Sequence, residues 1–248
     1  MHLSALVDLV LAPACLACDE AIAIGDDTRL ICRRCRTRLR PLPEPSCFRC
    51  GAPRPRTGAT STGVCNECSH WPAALRYARS ACLLWPPADH LVHQLKYGGW
   101  RALAYPMADT MRRLSLPEEM RSEIRMIIPV PTTAARLRAR GYNQAELIAR
   151  AYASATGICC NAVLQRSSGS DSQTALQPLA RAANVAGAFE LVTSCPRLDG
   201  AHLLVIDDVL TTGATSAECA ATLVAGGARC VSVLTFARAL DARRLTGS

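Results

Sequence analysis

The order of apolar and polar positions predicts alternating strands and helices over residues 73–248. Strands are predicted at 79–85, 126–130, 203–206 and 231–236, and helices at 89–96, 101–114, 143–157 and 214–224. The runs at 203–206 and 231–236 are apolar throughout, as in parallel strands that are buried on both faces. Strand, turn, helix and strand follow one another between them, which is the order of a βαβ unit. The pattern therefore predicts an α/β domain built on a parallel sheet.

Residues 1–72 show a different regularity, in which cysteines recur instead of apolar positions. Eight of the chain's 14 cysteines form four Cys-x-x-Cys pairs: Cys15 and Cys18, Cys32 and Cys35, Cys47 and Cys50, Cys65 and Cys68. A two-residue gap lets both thiolates of a pair bind the same ion. Thirteen residues separate the first two pairs and 14 separate the last two, so the segment reads as a tandem repeat. We predict a small double zinc-ribbon-like module at 1–72 and a second domain at 73–248.

The sulfur-only ligand sets predict structural Zn²⁺, one or two ions, since four thiolates leave no open position for a water molecule. Sequential pairing of the knuckles is the preferred interpretation, and a crossed arrangement of the first pair with the third is the alternative. Thiol redox chemistry and an iron–sulfur cluster are less favoured alternatives. Most of the other six cysteines are interpreted as ordinary buried side chains.

The net charge of +8 is distributed unevenly. Residues 29–56 hold nine arginines and a single acid, Glu44, which suits an anionic partner such as nucleic acid, although a solvated surface is an equal alternative. Only Phe48 and Trp71 could stack on bases there, so DNA binding by this module would be mainly electrostatic and strongly salt-dependent. No apolar run is long enough to span a membrane, and the first 11 residues lack the basic start of a signal peptide. A cytoplasmic location without a membrane span is therefore expected.

The segment 205–216, Val-Ile-Asp-Asp-Val-Leu-Thr-Thr-Gly-Ala-Thr-Ser, carries the most specific chemistry. Asp207 and Asp208 follow a buried strand, where open α/β sheets bind their ligands. The hydroxyl-rich turn after them leads into a helix N-terminus, and free N–H groups there can hold a phosphate. The two carboxylates would repel phosphate, so ribose hydroxyls, bound directly or through magnesium, suit them better. A plain strand–turn–helix corner is the less favoured interpretation.

This segment resembles the signature loop of type I phosphoribosyltransferases. Further stretches resemble the ComF competence-protein family of bacteria in the same order along nearly the whole chain. They are the four knuckles, Leu-Lys-Tyr-Gly at 95–98, Pro-Val-Pro at 129–131, Arg-Gly-Tyr-Asn-Gln at 140–144, and Gln173, Leu176, Arg181, Asn184 and Gly-Ala-Phe at 187–189. The resemblance implies a type I phosphoribosyltransferase-like fold behind an N-terminal cysteine-rich zinc module.

The resemblance also implies roles for individual residues. Asp207 and Asp208 would contact ribose hydroxyls. The 5-phosphate would be held by Thr211, Thr212, Gly213, Ala214 and Thr215. The loop after the second core strand would hold pyrophosphate through Thr132, Thr133, Arg136 and Arg140.

Two further features of the site are also expected. A polar segment at 167–181 could be a mobile hood that brings Arg181, or Arg166 at its other end, to the leaving group, and a surface loop is the alternative. Lys96, the chain's only lysine, is interpreted first as helix capping and second as a phosphate contact.

Three functions are compatible with these features. In the first, a ComF-like protein binds phosphoribosyl pyrophosphate (PRPP) with Mg²⁺ and assists the handling of incoming single-stranded DNA in natural transformation, with other DNA-uptake proteins as further partners. The second is a phosphoribosyltransferase of nucleotide salvage or biosynthesis, and the third is a non-catalytic regulator that senses PRPP. The acceptor and the retention of catalysis are left open at this level.

Overall fold

The structure, a computed structural model, describes residues 13–22, 29–54, 65–167 and 187–240. The main strands are β1 (Leu75–Leu83), β2 (Ile124–Pro129), β5 (His202–Leu210) and β6 (Cys230–Arg238), and a minor pair is formed by β3 (Leu164–Arg166) and β4 (Phe189–Leu191). The main strands form one sheet in the order β1-β6-β5-β2, in which every neighbouring pair is parallel. The minor pair is antiparallel. The predicted α/β class with a parallel sheet is confirmed.

Helices cover both faces of this sheet. They are α1 (Arg33–Thr37), α2 (Ala88–Tyr97), α3 (Ala104–Arg112), α4 (Glu118–Ser122), α5 (Ala134–Arg140), α6 (Gln144–Thr156) and α7 (Ala214–Ala225). In the described ranges, none of these helices combines the length and apolarity that crossing a bilayer requires.

The two faces of β5 belong to two separate cores. Leu204 and Ile206 pack with apolar side chains of α2, α3 and α6, whereas Leu203 and Val205 pack with those of α7. Because successive side chains of a strand point to opposite faces, a strand covered on both sides must be apolar at every position. This explains the continuous apolar run in the sequence.

Local signals in the sequence set several element ends. The side chain of Asn143 accepts a hydrogen bond from the N–H of Ala145 at 3.1 Å, and Gly157 ends α6 in the left-handed conformation, with φ 75°. Glu146 bonds Arg150 on the next turn and does not complete a capping box. The helix expected from residue 101 begins instead as a 3-10 turn at Arg101–Leu103.

The cysteine-rich module lies against the free edge of β1. The N–H groups of Ala78 and Leu83 donate to the carbonyls of Arg49 and Arg40, at 2.9 and 2.8 Å. These bonds cover an edge strand that would otherwise expose unpaired backbone groups. The first four cysteines join one core and the second four join the other, apart from Cys18, which is exposed, and Cys65, which is half-buried. The domain boundary at residue 72 stays a prediction.

Arg49, which lies between Cys47 and Cys50 of the third knuckle, connects this knuckle to the start of β1. Its guanidinium donates to the carbonyls of Cys68, Trp71, Pro72 and Leu75, at distances from 2.5 to 3.3 Å. Without this guanidinium, the half-buried carbonyls would lack hydrogen-bond donors. This would lower the free energy of unfolding, because water does not replace the lost donors well in such a position.

We expect Arg49→Gln to lower the free energy of unfolding by about 3 kcal/mol, because a shorter neutral side chain leaves several of these carbonyls without a donor. Urea denaturation of the zinc-loaded protein measures the change. Arg38→Gln, which removes an exposed arginine of the same module, is the control and should change stability little. Equal stability of the two variants would contradict the role given to Arg49.

Candidate functional site

The carboxyl ends of β2 and β5 meet at one edge of the sheet. β2 ends at Pro129, opposite Ile206, whereas β5 continues beside β6 as far as Leu210. Asp207 and Asp208 therefore lie just beyond the last residue of β2. Because β2 ends before β5 does, the sheet edge is open on the β2 side of β5, as in ligand sites of open α/β sheets.

A cavity of about 360 Å³ opens at this edge. Predicted site residues that line it are Lys96, Thr132, Arg136, Arg140, Asp207, Asp208, Thr211 and Thr215. The cavity is also lined by residues to which the sequence gave no such role, among them Tyr97 and Gln144. The cavity thus gathers residues from four separate stretches of the chain.

The other predicted residues take different places. Thr133 caps α5, where its hydroxyl accepts a hydrogen bond from the N–H of Arg136 at 3.2 Å. Thr212, Gly213 and Ala214 form the turn into α7 beside the cavity. Arg181, most of the predicted hood and the family-like positions 173, 176 and 184 lie outside the described residues.

The acidic pair is held by one cation. Nζ of Lys96 lies 2.5 Å from Oδ2 of Asp208, and the N–H of Asp208 donates to Oδ1 of Asp207 at 2.8 Å. Burial, and then the neighbouring charge of Asp208, raises the pKa of Asp207 well above its usual range. Lys96 sits in the last turn of α2, as predicted, but its ammonium group is directed to the acidic pair and does not serve as a simple helix cap.

The turn after β5 depends on Gly213 and on Trp71 from the second zinc unit. Gly213 has φ 83°, and a Cβ on it would lie 2.3 Å from Cζ2 of the Trp71 indole. Nε1 of Trp71 donates to the carbonyl of Thr212 at 3.3 Å. Trp71 is buried, so the expectation that it could stack on a base is wrong. Nothing in the local sequence pattern indicates this contact, which spans 141 positions.

The segment expected to be a pyrophosphate loop is largely helical. Pro131 and Thr132 form a short turn, and α5 then runs to Arg140. Arg140 donates to Oε1 of Gln144 at 2.9 Å, and its Cζ lies 4.9 Å from the ring centre of Tyr97. Thr133 supplies the cap that begins the helix, so its hydroxyl is used within the chain.

The eight paired cysteines form two clusters in sequential order, Cys15, Cys18, Cys32 and Cys35 in one and Cys47, Cys50, Cys65 and Cys68 in the other. Sulfur atoms within each cluster lie within 4.8 Å of one another. The Cys18–Cys32, Cys47–Cys68 and Cys65–Cys68 sulfur distances are 3.9, 3.8 and 3.7 Å. Four sulfurs at ~2.3 Å from a tetrahedral zinc ion would lie about 3.8 Å apart. Both clusters therefore fit structural Zn²⁺, and the crossed arrangement is not observed.

Comparison with known proteins finds similarity both for the cysteine-rich module and for most of the whole chain. Residues 6–69 match the double zinc ribbon domain family. The DNA utilization protein YhgH of Salmonella typhi is 30% identical over 198 residues, which is 78% of this chain and 84% of that protein. YhgH of Escherichia coli K12 is 27% identical over 91% of this chain and 97% of the relative. Competence protein F of Haemophilus influenzae is 33% identical over 55% of this chain and 57% of its own length. The chain belongs to the ComF family.

The unpaired cysteines of this ComF-family chain divide into two groups. Cys82, Cys219 and Cys230 are buried as expected, and burial raises the pKa of Cys82 to about 12. Cys159 is exposed, and Cys160 and Cys195 are half-buried, so the expectation holds for only part of the group. The deeply buried thiols are unreactive because their thiolate form is disfavoured.

We expect two zinc ions per chain by native mass spectrometry and a single ion in Cys68→Ser, because the second cluster then has three thiolates and the first is intact. Cys195→Ser removes a cysteine outside the clusters and should keep both ions. Retention of both ions by Cys68→Ser would contradict the assignment.

We also expect Asp207→Asn to raise the thermal stability of the ligand-free protein near neutral pH. A carboxyl whose pKa is raised on folding contributes stability at low pH, and this contribution is lost as the pH rises through the folded pKa. Asparagine resembles the protonated form and keeps the acceptor for the Asp208 N–H. The gain in Tm should therefore shrink as the pH falls towards the ordinary aspartate range, at ~4.

Thermal unfolding followed between pH 5 and pH 8 measures this difference. Asp199→Asn is the matched control, since Asp199 is exposed and pairs with Arg197. A Tm of Asp207→Asn below that of the wild type at neutral pH would contradict the expected cost of the buried carboxylate.

Proposed function

We propose that this ComF-family protein binds PRPP, or a closely related phosphorylated sugar diphosphate, and acts in the handling of single-stranded DNA. The observation that carries the first part is the convergence in one cavity of an acidic pair, a hydroxyl-rich turn and two arginines. In a phosphorylated sugar diphosphate, the ribose hydroxyls match the acidic pair, the 5-phosphate matches the hydroxyl-rich turn, and the diphosphate matches the arginines. The names of the relatives, DNA utilization protein and competence protein, support the second part.

Each part of the ligand has a chemically matched partner in the proposed complex. Asp207 and Asp208 accept hydrogen bonds from the ribose hydroxyls. The turn from Thr211 to Thr215 holds the 5-phosphate with N–H and hydroxyl groups, and α7 directs its positive dipole end towards the same point. Arg136 and Arg140 line the same cavity, where they neutralise the diphosphate.

Lys96 has a double role in this proposal. Its ammonium group lies 2.5 Å from Oδ2 of the buried Asp208, offsets the negative charge of the acidic pair and holds the Asp208 carboxyl in position to accept ribose hydroxyls. It also adds a positive charge to the side of the cavity that faces Arg140. Removal of Lys96 would therefore weaken both the sugar contact and the attraction for the diphosphate.

Mg²⁺ would enter this site together with the ligand. The groups of three or more potential metal ligands found in the described ranges consist of cysteines, so the acidic pair does not form a complete magnesium site by itself. Diphosphate oxygens are the ligands that Mg²⁺ prefers, and it commonly keeps water on its other positions. When bound, the ion would neutralise the diphosphate, and Asp207 or Asp208 would supply at most an outer carboxylate contact.

Isothermal titration with PRPP in the presence of Mg²⁺ tests the proposal. We expect the wild type to bind and Asp207→Asn/Asp208→Asn to bind at least about 100-fold more weakly, which corresponds to ~2.7 kcal/mol. Asp199→Asn, with one exposed carboxylate changed outside the cavity, should bind like the wild type. The proposal fails if the wild type does not bind, or if the double variant binds with unchanged affinity.

A further inference from the structure

A second cavity, of about 510 Å³, lies beside the proposed sugar-phosphate site. It is lined by Lys96, Tyr97, Gly98, Gly99, Arg136, Ala139, Arg140 and Tyr142. Four of these residues, Lys96, Tyr97, Arg136 and Arg140, line the first cavity as well. The two cavities therefore lie side by side, and we call them together the groove.

The walls of the second cavity are strongly cationic. Its lining includes three cations, Lys96, Arg136 and Arg140, and the stretches that contribute to it, 96–99 and 136–142, contain no aspartate or glutamate. Among the described residues, no carboxylate forms an ion pair with Arg101, Arg136 or Arg140. Positive charges that no carboxylate neutralises can attract an anion from solution.

Large aromatic side chains are exposed next to these charges. Tyr97 is 66% exposed and Trp100 is 46% exposed, although aromatic residues make up only 4% of the sequence. Arg140 lies over the Tyr97 ring at 4.9 Å, and Arg101 lies over Tyr142 at 4.7 Å. We call Tyr97, Trp100, Arg101, Arg136 and Arg140 the aromatic–arginine surface. Tyr97, Arg136 and Arg140 line the second cavity, and Trp100 and Arg101 directly follow its lining residue Gly99 in the chain.

In the cysteine-rich module, several aromatic and arginine side chains are already engaged in contacts within the chain. Trp71 is buried against Gly213, and Arg49 donates to carbonyls of its own chain. Phe48 is exposed but packs edge-on against Tyr77 at 5.4 Å. Some arginines of residues 29–56 thus form contacts within the protein, and this weakens the expectation that DNA binds there.

We propose that single-stranded DNA binds along the aromatic–arginine surface, with bases stacked on Trp100 and Tyr97 and phosphates contacting Arg101 and the cations of the groove. Unpaired bases can stack on side chains, whereas the bases of a duplex are already stacked on one another. This inference rests on the DNA-handling part of the proposed function and gives that function a surface separate from the zinc module.

Fluorescence anisotropy with a labelled oligo-dT strand tests the inference on the full-length zinc-loaded protein. We expect Trp100→Ala to weaken binding about tenfold, as for the loss of one stacked base, and Trp100→Phe to restore most of the affinity. Arg101→Gln should weaken binding and reduce the slope of log affinity against log salt by about 0.7, as for one lost phosphate contact on a single strand. An unlabelled duplex should compete poorly.

Matched controls separate the surface from general effects of charge and stability. Tyr105→Ala removes an aromatic side chain that is 69% exposed on α3, and Arg121→Gln removes an exposed arginine on α4. Both variants should bind the strand like the wild type. Trp100→Ala should also keep the PRPP affinity of the wild type, because Trp100 does not line the sugar-phosphate cavity.

Three results would overturn the inference, and they have different meanings. Wild-type affinity in both Trp100→Ala and Arg101→Gln would place the strand elsewhere and leave the proposed function standing. If the oligo-dT strand lost affinity only for the double variant Arg34→Gln/Arg38→Gln, the DNA-binding site would be assigned to the cysteine-rich module. Absence of binding by the wild type would refute the DNA-handling function together with this surface.

Discussion

The rest of the structure depends on the position of β5 in the centre of the parallel sheet. The strand is paired on both edges and buried on both faces, so its backbone and its apolar side chains have one compatible register. This register places Asp207 and Asp208 beyond the end of β2, where Asp208 is buried and Asp207 is half-buried. Two adjacent carboxylates there repel each other, and the Lys96 ammonium group offsets part of that repulsion.

The cysteine-rich module is bound to the α/β domain through contacts that reach the candidate site. Backbone bonds from Ala78 and Leu83 connect it to the edge of β1, and Trp71 packs on the turn that is proposed to hold phosphate. A zinc cluster fixes the chain that carries Trp71, since Cys68 is a ligand three residues before it. The metal sites thus contribute to the shape of the phosphate turn as well as to the stability of the module.

The two proposed ligands share part of their binding surface. Tyr97, Arg136 and Arg140 line both cavities, and both PRPP and a DNA strand are anions. Binding of one is therefore linked to binding of the other through common cations and through the position of one ring. This arrangement gives a physical reason why a sugar-phosphate site and a DNA-handling function would occur in one chain.

The sequence by itself determined the local features: the zinc knuckles with their spacing, the apolar strands, the caps of α6 and the Asp207–Asp208 turn. Each of these is set by residues within a few positions of one another, so a pattern can be recognised without the fold. Only the tertiary structure decided that Lys96 pairs with Asp208, that Trp71 packs against Gly213, and that Arg140 of α5 lies over the Tyr97 ring. These contacts join residues about 40 to 140 positions apart. Their geometry depends on which strands are neighbours in the sheet, and no local pattern of side chains encodes that.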